Sequence, residues 1–237
     1  MIRVAFVVGD YPSEERKRRE DVALSYSSAE VEVGIVSVQA TPYFYGMSPA
    51  EIAMAATPFI DAFRRAEREG YDAVVPLGFL DLGVDGGKSA VDIPVVGPAE
   101  ASLRLAAMVG DRFGLMVYHP TQMPFSRAIV RRYGMEPWVA GFGTAGIDLP
   151  DLAAHHDELV EGFVREARRL IVENDADVII PMGISQCPVH IKPDWLRQEL
   201  GVPVVEGIGS PIRMAAMMVQ LGVKPSRKRW PKSQTLG

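Results

Sequence analysis

Residues 71–107 and residues 176–216 follow one pattern. Pro76, Leu77 and Gly78 are answered 105 residues later by Pro181, Met182 and Gly183. Pro94, Val95, Val96, Arg104, Ala106 and Ala107 are answered 109 residues later by Pro203, Val204, Val205, Arg213, Ala215 and Ala216. The difference in offset falls in the loop after each glycine, so the frame repeats while the loop varies. A frame repeated at this spacing restricts the chain to two similar halves of roughly 100–120 residues, each able to bury a core of its own. The unequal loops are then the places for working parts, and the single cysteine, Cys187, lies in only one of them.

Short apolar runs rich in β-branched residues recur at 3–8, 31–37, 73–77, 93–96, 112–117, 178–182 and 202–205. Longer amphipathic stretches at 49–70, 100–109, 124–133, 151–174 and 211–221 separate them. Continuous apolar runs alternating with helical periods predict buried parallel strands in a doubly wound α/β protein. Ser48 and Pro49 before Glu51 give a helix start, and Gly70 and Gly222 give stops. In such sheets ligands bind where strands run into helices, which selects the loops 9–13, 78–89, 118–124, 141–148 and 183–193.

The balance of 48% hydrophobic and 23% charged residues fits a globular domain. A net charge of −5 argues against a nucleic-acid partner, which needs a basic footprint. The one basic cluster, 224–232, reads as a solvated tail, with anion binding as the alternative. A lone cysteine excludes a disulfide framework and fits a reducing compartment, and no stretch has the length of a signal peptide or membrane span. A cytoplasmic protein without a membrane partner is expected.

Two segments imitate phosphate-binding loops. GVDGGKS at 83–89 has leucine where the P-loop needs its first glycine, and GFGTAG at 141–146 lacks a strong preceding strand and a following acidic strand end. Neither is expected to bind a nucleotide. His155 and His156 are neighbours, so on a helix they point about 100° apart and cannot chelate one metal. No Cys/His/Asp cluster has metal-ligand spacing, and no metal is expected. His119 and His190 fall in strand-end loops, where imidazole can carry protons or simply bond to backbone. Asp10 ends the first strand and Asp81 lies three residues past Gly78, positions for a base or for a helix cap. Cys187 is four residues past Gly183. Its ordinary role is that of a small buried hydrophobe, but at a helix N-terminus its pKa would fall and the thiol could carry protons near about pH 7.

Taken together, YDAVVPLGF (71–79), the segment 93–116, VRRYG (130–134), ADVIIPMG (176–183) and the segment 200–228 resemble the aspartate/glutamate/hydantoin racemase superfamily, most of all its hydantoin racemase branch. The resemblance runs along nearly the whole chain. It implies two Rossmann-like lobes with parallel sheets related by a pseudo-twofold axis, and an active site in the interlobe cleft. Lobe one would be residues 1–97 plus 210–237, and lobe two 98–209. It also implies a small-molecule substrate, no cofactor and a homo-oligomer.

Racemases of this kind hold one cysteine from each repeat on opposite faces of the stereocentre; one thiolate removes the α-proton and the opposing thiol returns one. The first of those cysteines would follow the glycine matching Gly78, where this chain has Phe79. The second would follow the glycine matching Gly183, where it has Ile184. Neither side chain transfers a proton, so two-thiol racemisation is not expected. The alternatives are an acid–base enzyme acting on a small carboxylate or cyclic amide through Asp10, Asp81, His119, Ser185 and Cys187, a hydrolase or decarboxylase on the same scaffold, or a non-catalytic binding protein. Tyr11, Tyr45, Gly78, Phe79, Tyr118, Gly183 and Ile184 are the candidates to bind substrate, with Tyr43 and Phe44 as further aromatic candidates beside them.

Overall fold

The computed structural model describes residues 1–38, 48–147 and 151–236. The chain divides into two compact units: Met1–Leu77 with Asp81–Pro98 and Pro211–Gly237, and Gly78–Leu80 with Ala99–Ser210.

The first unit runs β1 (Ile2–Val8), α1 (Ser13–Leu24), β2 (Val31–Ser37), α2 (Pro49–Arg68), β3 (Ala73–Pro76) and α3 (Val84–Ala90). Its three strands are parallel in the order β2-β1-β3. β1 is central, and its Val4, Ala5, Phe6, Val7 and Val8 are fully buried, which is why that run is continuously apolar. Ser48 and Glu51 form a reciprocal capping box at the start of α2, as the spacing predicts.

The apolar pattern gives no hint of α1. Its sequence, SEERKRREDVAL, is almost wholly charged, and it is supported by ion pairs one turn apart: Arg16 with Glu20, Lys17 with Asp21, and Glu15 with Arg19.

The C-terminal segment is not simply a solvated tail. The Arg227 guanidinium donates to the carbonyls of Lys88 (2.7 Å) and Val91 (2.5 Å) and to the Asp92 carboxylate (2.6 Å). Lys232 donates to Asp92 at 2.7 Å, and Ser233 N donates to Ser89 O at 3.0 Å. Lys88, the lysine of the P-loop imitation, is buried with its ammonium 4.7 Å above the Trp230 ring. The basic residues thus close the C-terminal end of α3, where unpaired carbonyls and the helix dipole favour cations.

Arg227→Ala is expected to lower stability by about 1–2 kcal/mol, seen as a fall of several degrees in the thermal midpoint. The hydrogen bond from Lys232 holds the Asp92 carboxyl below its ordinary range against the opposing effect of burial, and Arg227 adds to the lowering. That contribution is present above the ordinary carboxyl range near about pH 4 and is lost as pH falls through the lowered value. The difference between wild type and variant therefore narrows in acid.

The second unit runs α4 (Pro98–Ala106), β4 (Phe113–Val117), α5 (Met123–Arg132), β5 (Val139–Thr144), α6 (His156–Asn174), β6 (Val178–Pro181) and α7 (Pro193–Leu200); α8 (Gly209–Gln220) then leads into the C-terminal segment. The strands are parallel in the order β5-β4-β6, with β4 central and wholly buried. The strand β5 departs from the sequence expectation, which places a loop at 141–148. It is a half-buried edge strand with glycines at 141 and 143, over which Leu170 of α6 packs, and Arg169 donates to the Phe142 carbonyl at 3.1 Å.

The runs at 93–96 and 202–205 also differ from the strands expected there. Each makes a single parallel bridge: Val74 N donates to Pro94 O and Val96 N to Val74 O, while Ile179 N donates to Pro203 O and Val205 N to Ile179 O. Pro94 and Pro203 have no N–H with which to extend a ladder. Among the described residues, no helix is long and apolar enough to cross a membrane.

Candidate active site

In the second unit Tyr118, just past β4, ties that strand's end to the end of β5 and to the turn after β6. Its carbonyl accepts the Thr144 hydroxyl at 2.6 Å, and its own hydroxyl accepts the Ser185 N–H at 2.9 Å. The ring lies flat across Gly183, where any Cβ would overlap it. Gly183 is therefore glycine because a tyrosine ring occupies its side-chain position. Ile184 and Ser185, which follow, are both buried.

A parallel arrangement holds Phe79. Its ring is buried against Gly207, at the place a Cβ there would need. The residue before, Glu206, is a buried carboxylate that accepts from Ile208 N (2.6 Å) and Gly209 N (2.8 Å), capping the entry to α8. The Glu206 carbonyl accepts the buried Ser102 hydroxyl at 3.2 Å. The positions after Gly78 and Gly183 thus present a phenyl ring and a branched alkyl group.

His119 is half-buried just past β4. Its Nδ1 lies 3.0 Å from Thr121 Oγ1 and accepts the Thr121 N–H at 3.4 Å, capping the short turn Pro120–Gln122. A ring nitrogen that accepts from backbone must be unprotonated, which places the proton of the neutral ring on Nε2. His119 is therefore set up as an Nε2–H donor.

Cys187 shares a core with Tyr118. It is fully buried in the apolar core of the second unit with Met116, Leu159, Phe163, Ile179 and Leu196. Its backbone is extended rather than helical inside the wide turn Ser185–His190. Burial pushes the thiol well above its ordinary pKa, the Glu206 charge pushes it further, and Arg197 opposes only in part. The lowered pKa that a helix N-terminus would give is reversed, and the thiol stays protonated near neutrality.

In the first unit Asp10 is exposed past the end of β1, and it is not the cap of α1, which starts after Pro12 without a side-chain cap. Tyr11 is buried beneath the guanidinium of Arg19, 4.3 Å from the ring centre, and Arg19 is fully buried and paired with Glu15 at 2.6 Å. Asp81 is buried in a left-handed backbone conformation (φ 49°), and its carboxylate fills the space beside Gly97 that a Cβ would take. Gly78 has φ 96°, a conformation that favours glycine. Tyr43, Phe44 and Tyr45 lie outside the described residues. His155 and His156 are exposed, and His156 Nε2 lies 3.2 Å from the His190 carbonyl. Among the described residues no group of His, Cys, Asp and Glu could hold a metal ion.

Sequence reasoning missed Glu206, Gln186 and Arg19. Glu206 was the most accessible of them, because it stands where the first copy of the repeat has Gly97. A charged residue replacing glycine inside an otherwise matched apolar frame is itself a signal.

Two parallel sheets with their buried strand-end turns define an α/β fold, and the family follows from comparison. Residues 26–215 match the family described as Asp/Glu/Hydantoin racemase, and the chain belongs to it. A hydantoin racemase of Paenarthrobacter aurescens is 33% identical over 181 residues, 74% of this chain and 73% of that protein. A hydantoin racemase of Pseudomonas sp. (strain NS671) is 31% identical over 168 residues, 71% of this chain and 66% of that protein, just under two thirds of its length. The solved structure of an allantoin racemase from Klebsiella pneumoniae superposes with a TM-score of 0.89 at 21% identity, covering 99% of this chain and 95% of that one, a likeness of fold.

Proposed function

We propose that this racemase-family protein is a cofactor-independent enzyme that moves a proton at the α-carbon of a small cyclic amide or carboxylate, using oxygen and nitrogen groups in place of thiols. One observation carries the reading: the only thiol of the chain is protonated and sealed in an apolar core, while the positions after Gly78 and Gly183 hold Phe79 and Ile184. The family membership supports chemistry at an acidic α-carbon, and the hydantoin racemases among the relatives support a ring amide as substrate.

Removal of an α-proton needs a base and a donor for the oxygen that becomes an enolate. Asp81 and Asp10 are the candidate bases, and the Nε2–H of His119 is the candidate donor. Ser185 contributes its N–H to holding Tyr118, and Phe79 and Ile184 supply apolar surface for the substituent. Asp81→Asn and His119→Gln are each expected to slow α-deuterium exchange of a 5-substituted hydantoin in D₂O by roughly 100-fold or more, read by proton NMR. Unchanged exchange in both variants would remove the assignment. Absence of exchange by the wild type across hydantoins and small carboxylates would leave only ligand binding.

A further inference from the structure

Gln186 is fully buried and takes no part in the chemistry above. It sits one turn past β6, with its N–H donating to Gly183 O at 3.0 Å and its carbonyl accepting Ile191 N–H at 2.7 Å, so its backbone is fixed. Its side-chain Nε2 faces the carbonyl of Val117, the last residue of β4, at 3.5 Å. Turned over, the amide would set its own oxygen against the Val117 carbonyl oxygen. Oε1 is left inside the protein with no donor among the described residues. A buried acceptor without a donor is costly, and native proteins carry few of them.

This oxygen belongs to the turn that follows the carboxyl end of β6 and is tied to the carboxyl end of β4 through Tyr118 and the Val117 carbonyl. Those carboxyl ends are where sheets of this class bind ligands. We infer that Gln186 is a specificity-determining residue whose side-chain carbonyl accepts an N–H of the bound substrate. The inference rests on the function proposed above and sharpens it. An ionised carboxylate has only acceptor oxygens and would meet the Gln186 carbonyl with repulsion, whereas a cyclic amide or ureide ring presents N–H donors. A site built around a buried acceptor discriminates steeply against ligands that lack the donor.

The test compares a 5-substituted hydantoin with its N-methylated forms and with the ring-opened N-carbamoyl amino acid, measuring binding by calorimetry on the intact protein. Wild type is expected to bind the hydantoin at least roughly 10-fold more tightly than the form methylated at both nitrogens. Gln186→Leu removes that preference, and its thermal midpoint without ligand stays at or above that of the wild type, because an unpaired acceptor has been deleted. Gln186→Met gives the same comparison if the leucine variant folds poorly. A preserved preference in these variants overturns the assignment. So does a lowered midpoint with unchanged preference, which would make Gln186 structural. Hydantoin binding with this preference but without proton exchange would instead count against the proposed reaction, whereas no hydantoin binding by the wild type overturns the Gln186 assignment and leaves the proposed reaction to the small carboxylates.

Discussion

Gly183→Ala is expected to destabilise the protein by about 2–3 kcal/mol, a fall of several degrees in the thermal midpoint. The new Cβ would enter the Tyr118 ring, and that ring has nowhere to go. Tyr118 is held at its carbonyl by Thr144 and at its hydroxyl by the Ser185 N–H, and it is buried. Movement of the ring would break the Ser185 bond and shift the turn carrying Ile184, Ser185 and Gln186. Activity is therefore expected to fall by more than the loss of folded protein explains. A double variant, Gly183→Ala with Tyr118→Ala, relieves the overlap and should show a smaller stability loss than the two single losses added together. Strict additivity would mean that the ring and the glycine do not meet.

Glu206→Ala is expected to cost about 2–4 kcal/mol. The buried carboxylate accepts two backbone N–H groups, those of Ile208 and Gly209, and its removal leaves both without an acceptor and opens a cavity beside them. Glu206→Gln fills the cavity and keeps one acceptor oxygen but sets its NH2 against the other backbone N–H, so it is expected to cost less than Glu206→Ala without being neutral. It also removes a negative charge that raises the Cys187 pKa, so the thiol pKa falls while remaining above its ordinary value, because burial persists as the larger cause. Thermal unfolding of the two variants, with thiol titration of the second, checks both statements.

The parts of the fold that were legible are those whose cause is local. β1, β3, β4 and β6 are apolar runs because each is largely buried, β2 is a half-buried edge strand that turns Val31, Val33 and Val36 inward, and the start of α2 was written in Ser48, Pro49 and Glu51. α1 was hidden because charge pairs one turn apart stand in it where an apolar stripe would have marked a helix. β5 was hidden because an edge strand packed closely under α6 uses glycines in place of branched residues. Nothing in KPSRKRWPK announced that Arg227 and Lys232 would meet α3 and Asp92, some 135–140 residues earlier in the chain.

The candidate site was legible as a set of loops and as the two positions without thiols. It was not legible as chemistry. Whether a strand-end cysteine is a proton carrier or core depends on which way one turn faces, and the extended backbone at Cys187 accompanies its burial in the core. The roles of Tyr118 and Asp81 likewise rest on glycines far away in sequence, Gly183 and Gly97.

The central claim is that this racemase-family chain works without a thiol. It is tested most directly by α-deuterium exchange in D₂O with Cys187→Ala, using the hydantoin or small carboxylate that wild type exchanges fastest. The exchange rate is expected to stay within about 2-fold of wild type, in line with a buried, protonated thiol that packs and does not react. A folded Cys187→Ala protein that loses exchange by roughly 100-fold or more would contradict the account and return the thiol to the reaction.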